Sequence, residues 1–311
     1  MRLTAHKIAY AASLFLLLAL LAACLWGDPF LWRFLTEALL MGCAVMSLNV
    51  LIGQGGLVSL GHGAIFGFAG YAAAIASQSL GAELGLVLLI GLLAGMALAA
   101  VMALLSLRSS GLFFLVTTLI AGQLVWEVIF RWRGLSGGAD GLRGFPKLSL
   151  GGWAISQPLP LMLLSVIVTL LSWLALRSFL RAPVGIALGG LRDQPLRMAA
   201  LGYQAWRLRL YAFLVAGGVA GMAGSLYPYA NQYISPQQVH WSFSATLIIM
   251  GVIGGIHTLL GGLAGAGAYL FIQTYLSSYT ERWQLLIGVV FVATVLFLPR
   301  GLAQLWPRRQ A

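Results

Sequence analysis

Apolar runs of about twenty residues, each closed by a cluster of Gly, Pro or Arg, recur along the whole chain, and a run of about that length is what a helix needs to cross a bilayer. Only 8% of the 311 residues are charged. A soluble domain carries about 25%, so no water-facing surface is available for a globule of this size. Barrel strands alternate apolar and polar residues over about ten positions. The unbroken runs here predict an all-α, polytopic transmembrane helical bundle.

The runs give ten candidate spans: 8–26, 34–52, 57–78, 84–107, 112–130, 158–176, 208–230, 242–261, 263–280 and 283–299. The weakest are 57–78, for its glycines, and 263–280, for its length, and losing both would leave eight spans. An even number puts both termini on one side. With that side cytoplasmic, twelve of the eighteen Lys and Arg residues fall inside and six outside, in line with the inward bias of basic residues. The whole chain, 1–311, then reads as a single transmembrane domain with an external loop over 131–157 and a cytoplasmic loop over 177–209. The external loop carries four basic residues and one acid, so either it folds as a small external cap or one span is miscounted. The segment 8–26 follows a basic start but exceeds a secretory signal in length, and it is read as a retained helix. Cys24 and Cys43 lie in apolar runs, which supports buried small side chains and no metal site.

The net charge of +11 is accounted for by loop arginines, and no basic and aromatic surface stands apart for nucleic acid. A phosphate-binding loop needs Gly-x-x-x-x-Gly-Lys-Ser/Thr. The two lysines, Lys7 and Lys147, are not preceded by Gly, so no ATPase or other catalytic residue is expected in this chain. Glu127 is taken as the one acid inside a span, set beside Arg131 at the i, i+4 spacing that favours a pair. That leaves little for an ion-driven carrier.

Two segments stand out. From Asn49 to Tyr71 glycines are dense, and Asn49, Ser59, His62 and Gly63 are the candidate pathway residues. Polar groups in spans mark pathways, and they also serve as packing glue. Both readings remain open on the residues alone. The strings at 60–71 and 260–269 echo one another, which small-residue packing explains as well as an internal repeat does. Between 177 and 209, Asp193 or Gln194 is placed to cap a short helix that Pro195 opens and Gly202 ends. It is either a loop held by anionic lipid or a docking helix, with Leu196, Met198 and Leu201 as apolar contacts.

Five stretches in order resemble the M-type (LivM-like) permease subunit of branched-chain amino acid ABC importers: SLGHGAIFGFAGYAAA (59–74), SGGADGLRGFP (136–146), LRDQPLRMAALGYQAWRLRLYAFLVAGGVAGMAGSLY (191–227), ISPQ (234–237) and VIGGIHTLLGG (252–262). The resemblance spans most of 35–300. It implies a permease in a bacterial inner membrane that translocates branched-chain or related hydrophobic amino acids. Similar permeases move urea, short amides or aromatic acids. An ion-driven carrier and a membrane scaffold are the readings from outside the family. The resemblance further implies two cytoplasmic ABC ATPase subunits that hold ATP and Mg, an H-type second permease, and an extracytoplasmic substrate-binding protein. Arg192, Asp193, Met198, Ala200, Leu201 and Gly202 would couple to the ATPases. The family commonly has glutamates where Asp193, Pro195 and Ala199 stand, so the expected docking surface is less acidic than usual. His257 and Gly262 depart from the family pattern as well.

Overall fold

A computed structural model describes residues 27–106, 109, 111–280, 282–298 and 301–302. The expected first span at 8–26, and Cys24 within it, lie outside these residues. Twelve helices are present among the described residues. Asp28 starts α1 (Pro29–Asn49) by accepting the Phe30 N–H at 2.9 Å, with Pro29 in the first turn where its missing donor costs nothing. The helix then widens into a π turn over Val50–Gln54. Next come α2 (His62–Leu80), α3 (Leu84–Ser106) and α4 (Leu112–Arg131), followed by the single turn α5 (Arg133–Ser136). Helix α6 (Pro158–Arg181) leads to the short pair α7 (Pro183–Asp193) and α8 (Pro195–Ala200). The long helix α9 (Ala205–Asn231) precedes α10 (Trp241–Gly254), α11 (Leu259–Ser277) and α12 (Trp283–Phe297).

Seven of these segments are long and apolar enough to cross a membrane, counting α1 together with its π turn. At about 1.5 Å per residue they match a hydrocarbon core of about 30 Å. The chain is therefore a multi-pass membrane protein. The two spans expected to be weakest, at 57–78 and 263–280, are full helices. The expectation fails elsewhere. The run 242–261 stops at Gly254, where Gly255 adopts φ +111°, and the next helix begins at Leu259. Helices α10 and α12, with 14 and 15 residues, reach only about 21–23 Å. An apolar run reports burial, and a Gly-Gly break inside it ended a helix that hydropathy alone carried through.

Helices α1 and α9 form the buried centre, whereas α3, α4 and α6 turn Leu93, Leu104, Phe113, Leu124 and Leu170 outward. Lipid supplies no hydrophobic drive between helices, so close approach depends on small residues. In the α3–α9 contact, a Cβ on Gly95 would lie 2.3 Å from the Gly217 carbonyl oxygen, and one on Gly91 would lie 2.6 Å from that of Gly221. Helices α10 and α11 meet in the same way, since a Cβ on Gly254 would lie 1.8 Å from the Gly261 carbonyl. The glycine-rich echoes sit in tight contacts as well: Gly261 of the second is in the α10–α11 contact, and in the first a Cβ on Gly70 would lie 2.8 Å from the Gly224 carbonyl oxygen. Cys43 is buried, and its Sγ donates to Thr169 Oγ1 on α6 at 3.2 Å.

The segment between α5 and α6 does form a cap. A two-stranded hairpin pairs Ser149–Leu150 with Trp153–Ala154, and Leu142 bridges to Ile234 beyond α9. The cap covers the end of the bundle opposite α7 and α8. Glu83 anchors it through Ser149 Oγ at 3.0 Å and the Gly151 N–H at 2.8 Å.

Replacing Gly95 by Leu should destabilise the bundle by about 1–3 kcal/mol or more through overpacking. Replacement of Gly288, which has nothing within 4 Å, by Ala should leave it unchanged. Thermal unfolding of the detergent-solubilised protein measures both.

Candidate functional site

The arginine-rich end of the bundle is built by a helical hairpin. Ala182 is extended, as a residue before proline should be, and Pro183 opens α7. Gly185 sits where a Cβ would meet the Phe179 carbonyl at 2.3 Å, so α7 folds back tightly against the end of α6. Ala187, Leu188 and Leu191 are buried on one face of α7. One short helix was expected from Asp193 to Gly202, and the structure has two, because Pro183 starts a helix of its own. Neither Asp193 nor Gln194 caps α8 with its side chain. Gln194 Oε1 instead accepts from Arg197 at 3.1 Å. No residue of α8 is buried. Leu196 and Leu201 are 88% and 67% exposed. Met198 turns inward, with its Sδ 2.9 Å from where a Cβ on Gly190 would lie. Ala200 ends α8, and Gly202 (φ +85°) turns the chain toward α9.

Arg192 connects this hairpin to the transmembrane core. Its guanidinium donates to the carbonyl of Gly53 in the π turn, and its Nε donates to Asp193 Oδ1 at 2.8 Å. Gly56 (φ +64°) lies against the stem of Arg192, where a Cβ would come within 2.9 Å of Cγ. The π turn is packed on its other side by the break between α10 and α11. A Cβ on Gly53 would lie 2.2 Å from the Ile256 carbonyl oxygen. Asn49 Nδ2, at the start of the π turn, donates to the Thr258 carbonyl at 3.0 Å and to that of Gly255 at 3.4 Å. Three irregular backbone segments therefore meet at one junction, and side chains from neighbouring elements satisfy their freed polar groups. Isolated π turns recur at functional positions in helices.

The remaining expected pathway residues gather at the start of α2. His62 is fully buried, and its Nε2 lies 2.8 Å from Ser47 Oγ, which donates to the Ala44 carbonyl at 2.8 Å. That arrangement makes Nε2 the donor and leaves Nδ1 without a hydrogen bond. Ser59 Oγ accepts the Gly61 N–H at 3.3 Å, Thr118 Oγ1 accepts that of Leu60 at 3.2 Å, and Ser244 Oγ accepts that of Gly63 at 2.8 Å. These bonds satisfy the N–H groups that open the first turn of α2. Ser59 and Gly63 thus have a structural duty, and only Asn49 lies at the junction with Arg192.

The sequence reading overlooked one acid. Glu37 stands on α1 about 12 Å along its axis from Pro29, inside the expected span 34–52. Its Oε1 accepts from the Tyr227 hydroxyl on α9 at 3.3 Å. The signal was available, since a carboxylate inside an apolar run is by default a functional candidate. Glu127, by contrast, is near the end of α4 and pairs with Arg131 as its spacing suggested. One turn outward from Glu37, Arg33 joins Lys147, Gln157 and Tyr229 in lining a 230 Å³ cavity at the capped end.

Replacing Arg192 by Ala should free the hairpin from Gly53. Hydrogen exchange across Pro183–Asp193 should then accelerate about tenfold or more, the loss expected for a charged hydrogen bond, while α3 exchanges as before. Mass-resolved exchange on the detergent-solubilised protein measures it.

Residues 30–295 match the family model described as branched-chain amino acid transport system / permease component. The chain is 25% identical over 280 residues to the high-affinity branched-chain amino acid transport system permease protein LivM of Escherichia coli, and 24% identical to that of Salmonella typhimurium. Each alignment covers 83% of this chain, and the chain spans 66% of the length of these relatives. A shorter stretch of 116 residues is 32% identical to the inner membrane ABC transporter permease protein YjfF of Escherichia coli, covering 33% of each chain. No solved structure matches.

Proposed function

Because the chain belongs to the family of branched-chain amino acid transport system permease components, we propose that it is the M-type permease subunit of an ATP-binding cassette importer in a bacterial inner membrane. Its cargo is a branched-chain or related hydrophobic amino acid. It acts beside an H-type permease, with two cytoplasmic ATPases that hold ATP and Mg and an extracytoplasmic binding protein that delivers substrate. The described residues form one permease domain. The end bearing α7 and α8 faces the cytoplasm together with the termini, and the cap over 131–157 faces outward. The supply of arginines at the α7–α8 end supports this orientation.

One observation carries the mechanism: Arg192 ties the exposed hairpin to the π turn of a central membrane helix. The ATPases dock on α8, whose exposed Leu196 and Leu201 offer apolar contact and whose Ala200 and Gly202 keep the surface shallow. Asp193 and Met198 hold the hairpin together, Asp193 through Arg192 and Met198 by seating against Gly190. When ATP draws the ATPases together, α8 and α7 move as a pair. The movement passes through Arg192 to the π turn, and from Asn49 to the break between α10 and α11. A switch of this kind needs contacts that differ between the outward-open and inward-open states. The π turn supplies such contacts if it returns to α-helix, because Gly53 and Asn49 would then rotate away from Arg192 and Thr258. His62, Ser59 and Gly63 hold α2 beside that moving junction along the pathway.

Co-expression with the neighbouring ATPase and permease genes should yield a complex that co-purifies with this chain, and failure to form one would overturn the importer reading. Within the complex, Gly202→Arg introduces a side chain where φ disfavours one by about 1–2 kcal/mol. It should abolish most substrate uptake in proteoliposomes while ATP hydrolysis continues and the binding protein still docks. Unchanged uptake would remove the hairpin from the coupling path.

A further inference from the structure

Glu37 is a carboxylate at membrane depth, and among the described residues no basic side chain lies within ion-pair distance of it. Its one hydrogen bond comes from the neutral hydroxyl of Tyr227. Glu37 is only half-buried, so the carboxylate is open on one side. An acid turned toward lipid is costly, and ionisable groups inside membranes face cavities or protein instead. The open side therefore faces protein or a cavity rather than lipid, and no cation among the described residues relieves the negative charge.

The neighbourhood narrows what that group is. The Tyr227 side chain is itself buried, which holds the phenol beside the acid. The Tyr227 ring packs edge-on against Phe66 at 5.5 Å, and Phe66 packs against the half-buried Phe243 at 5.5 Å. Tyr227 and Phe66 are buried and back the acid, and Phe243 is the one aromatic residue of this cluster left partly open. A carboxylate with an apolar neighbour of this kind favours a cation that carries an apolar group. One turn outward on the same helix, the positive Arg33 lines the outer cavity with Lys147, where a carboxylate is drawn in. Along α1 an incoming molecule thus meets a cation first and an anion second.

We propose that Glu37 is the recognition point for the ammonium group of a zwitterionic amino acid with an apolar side chain, met in the outer half of the pathway after Arg33 and Lys147 attract its carboxylate. The assignment rests on the importer reading above and narrows it, since urea and neutral amides offer Glu37 no charge. Tyr227 is a positioning residue that holds the carboxylate toward the open side.

The assembled importer tests this in two ways. In the wild type, dicyclohexylcarbodiimide should modify Glu37. Excess leucine should protect it, and 4-methylpentanoate, which has leucine's skeleton without the ammonium, should not. In proteoliposomes, Glu37→Gln should lower leucine uptake at least about tenfold, the loss expected for a charged hydrogen bond. Complex assembly and basal ATP hydrolysis should stay intact, and Glu37→Asp should recover part of the uptake. Absent labelling, equal labelling with and without leucine, or wild-type uptake by Glu37→Gln would overturn the proposal. In those cases leucine uptake by the wild-type complex keeps the importer reading standing. A wild-type complex that imports urea or a neutral amide and no amino acid overturns both.

Discussion

A backbone carbonyl that leaves its helical ladder at membrane depth must find another donor, because the bilayer core has no water to supply one. The bundle is organised around this demand. Helix α1 loosens into a π turn at Val50–Gln54, and the carbonyl of Gly53 is met by Arg192 from a hairpin more than a hundred residues later in the chain. Asn49 gives its amide to carbonyls in the break between α10 and α11. Helix α2 begins with its first N–H groups held by Ser59, Thr118 and Ser244. Each irregularity is stabilised by a neighbouring element, so a shift in one is felt by the others.

The packing that surrounds these junctions is of another kind. Helices α3 and α9 approach until glycine is the only residue that fits between them, and α10 and α11 do the same. Such contacts are rigid, because neither face carries a side chain that can rotate away. The outcome is a bundle of tightly joined helix pairs connected by polar, loosely wound junctions. Motion in such a molecule concentrates at the junctions, and among the described residues the α7–α8 hairpin is the exposed element joined directly to one of them through a charged side chain.

Much of this arrangement could be read along the chain. The apolar runs predicted the membrane class, and the segment over 131–157 folds as a cap, one of the two outcomes that its charge left open. Pro195 and Gly202 bounded α8 correctly, because both act through local backbone geometry. The misreadings have physical causes too. Pro183 was passed over, so the second helix of the hairpin went unseen. The run 242–261 was carried through Gly254 and Gly255, since hydropathy does not register a reversal of φ. Glu37 was lost because one acid barely lowers the mean of a twenty-residue window, although its cost at membrane depth is large. Ser59 and Gly63, candidates for the pathway, also have partners that make them part of the framework for α2.

The sequence by itself determined that this chain crosses a membrane many times as helices, where its arginine-rich hairpin begins and ends, and which permease family it belongs to. These follow from composition, from local backbone preferences and from motifs that lie along the chain. Only the tertiary structure decided that Arg192 reaches Gly53, that Asn49 holds a distant turn, and that Glu37 is paired with a tyrosine and, among the described residues, with no cation. Those facts depend on which faces of separate helices meet. Helix contact in a bilayer is set by small-residue fit and by polar groups seeking partners, and neither leaves a periodic trace in the sequence.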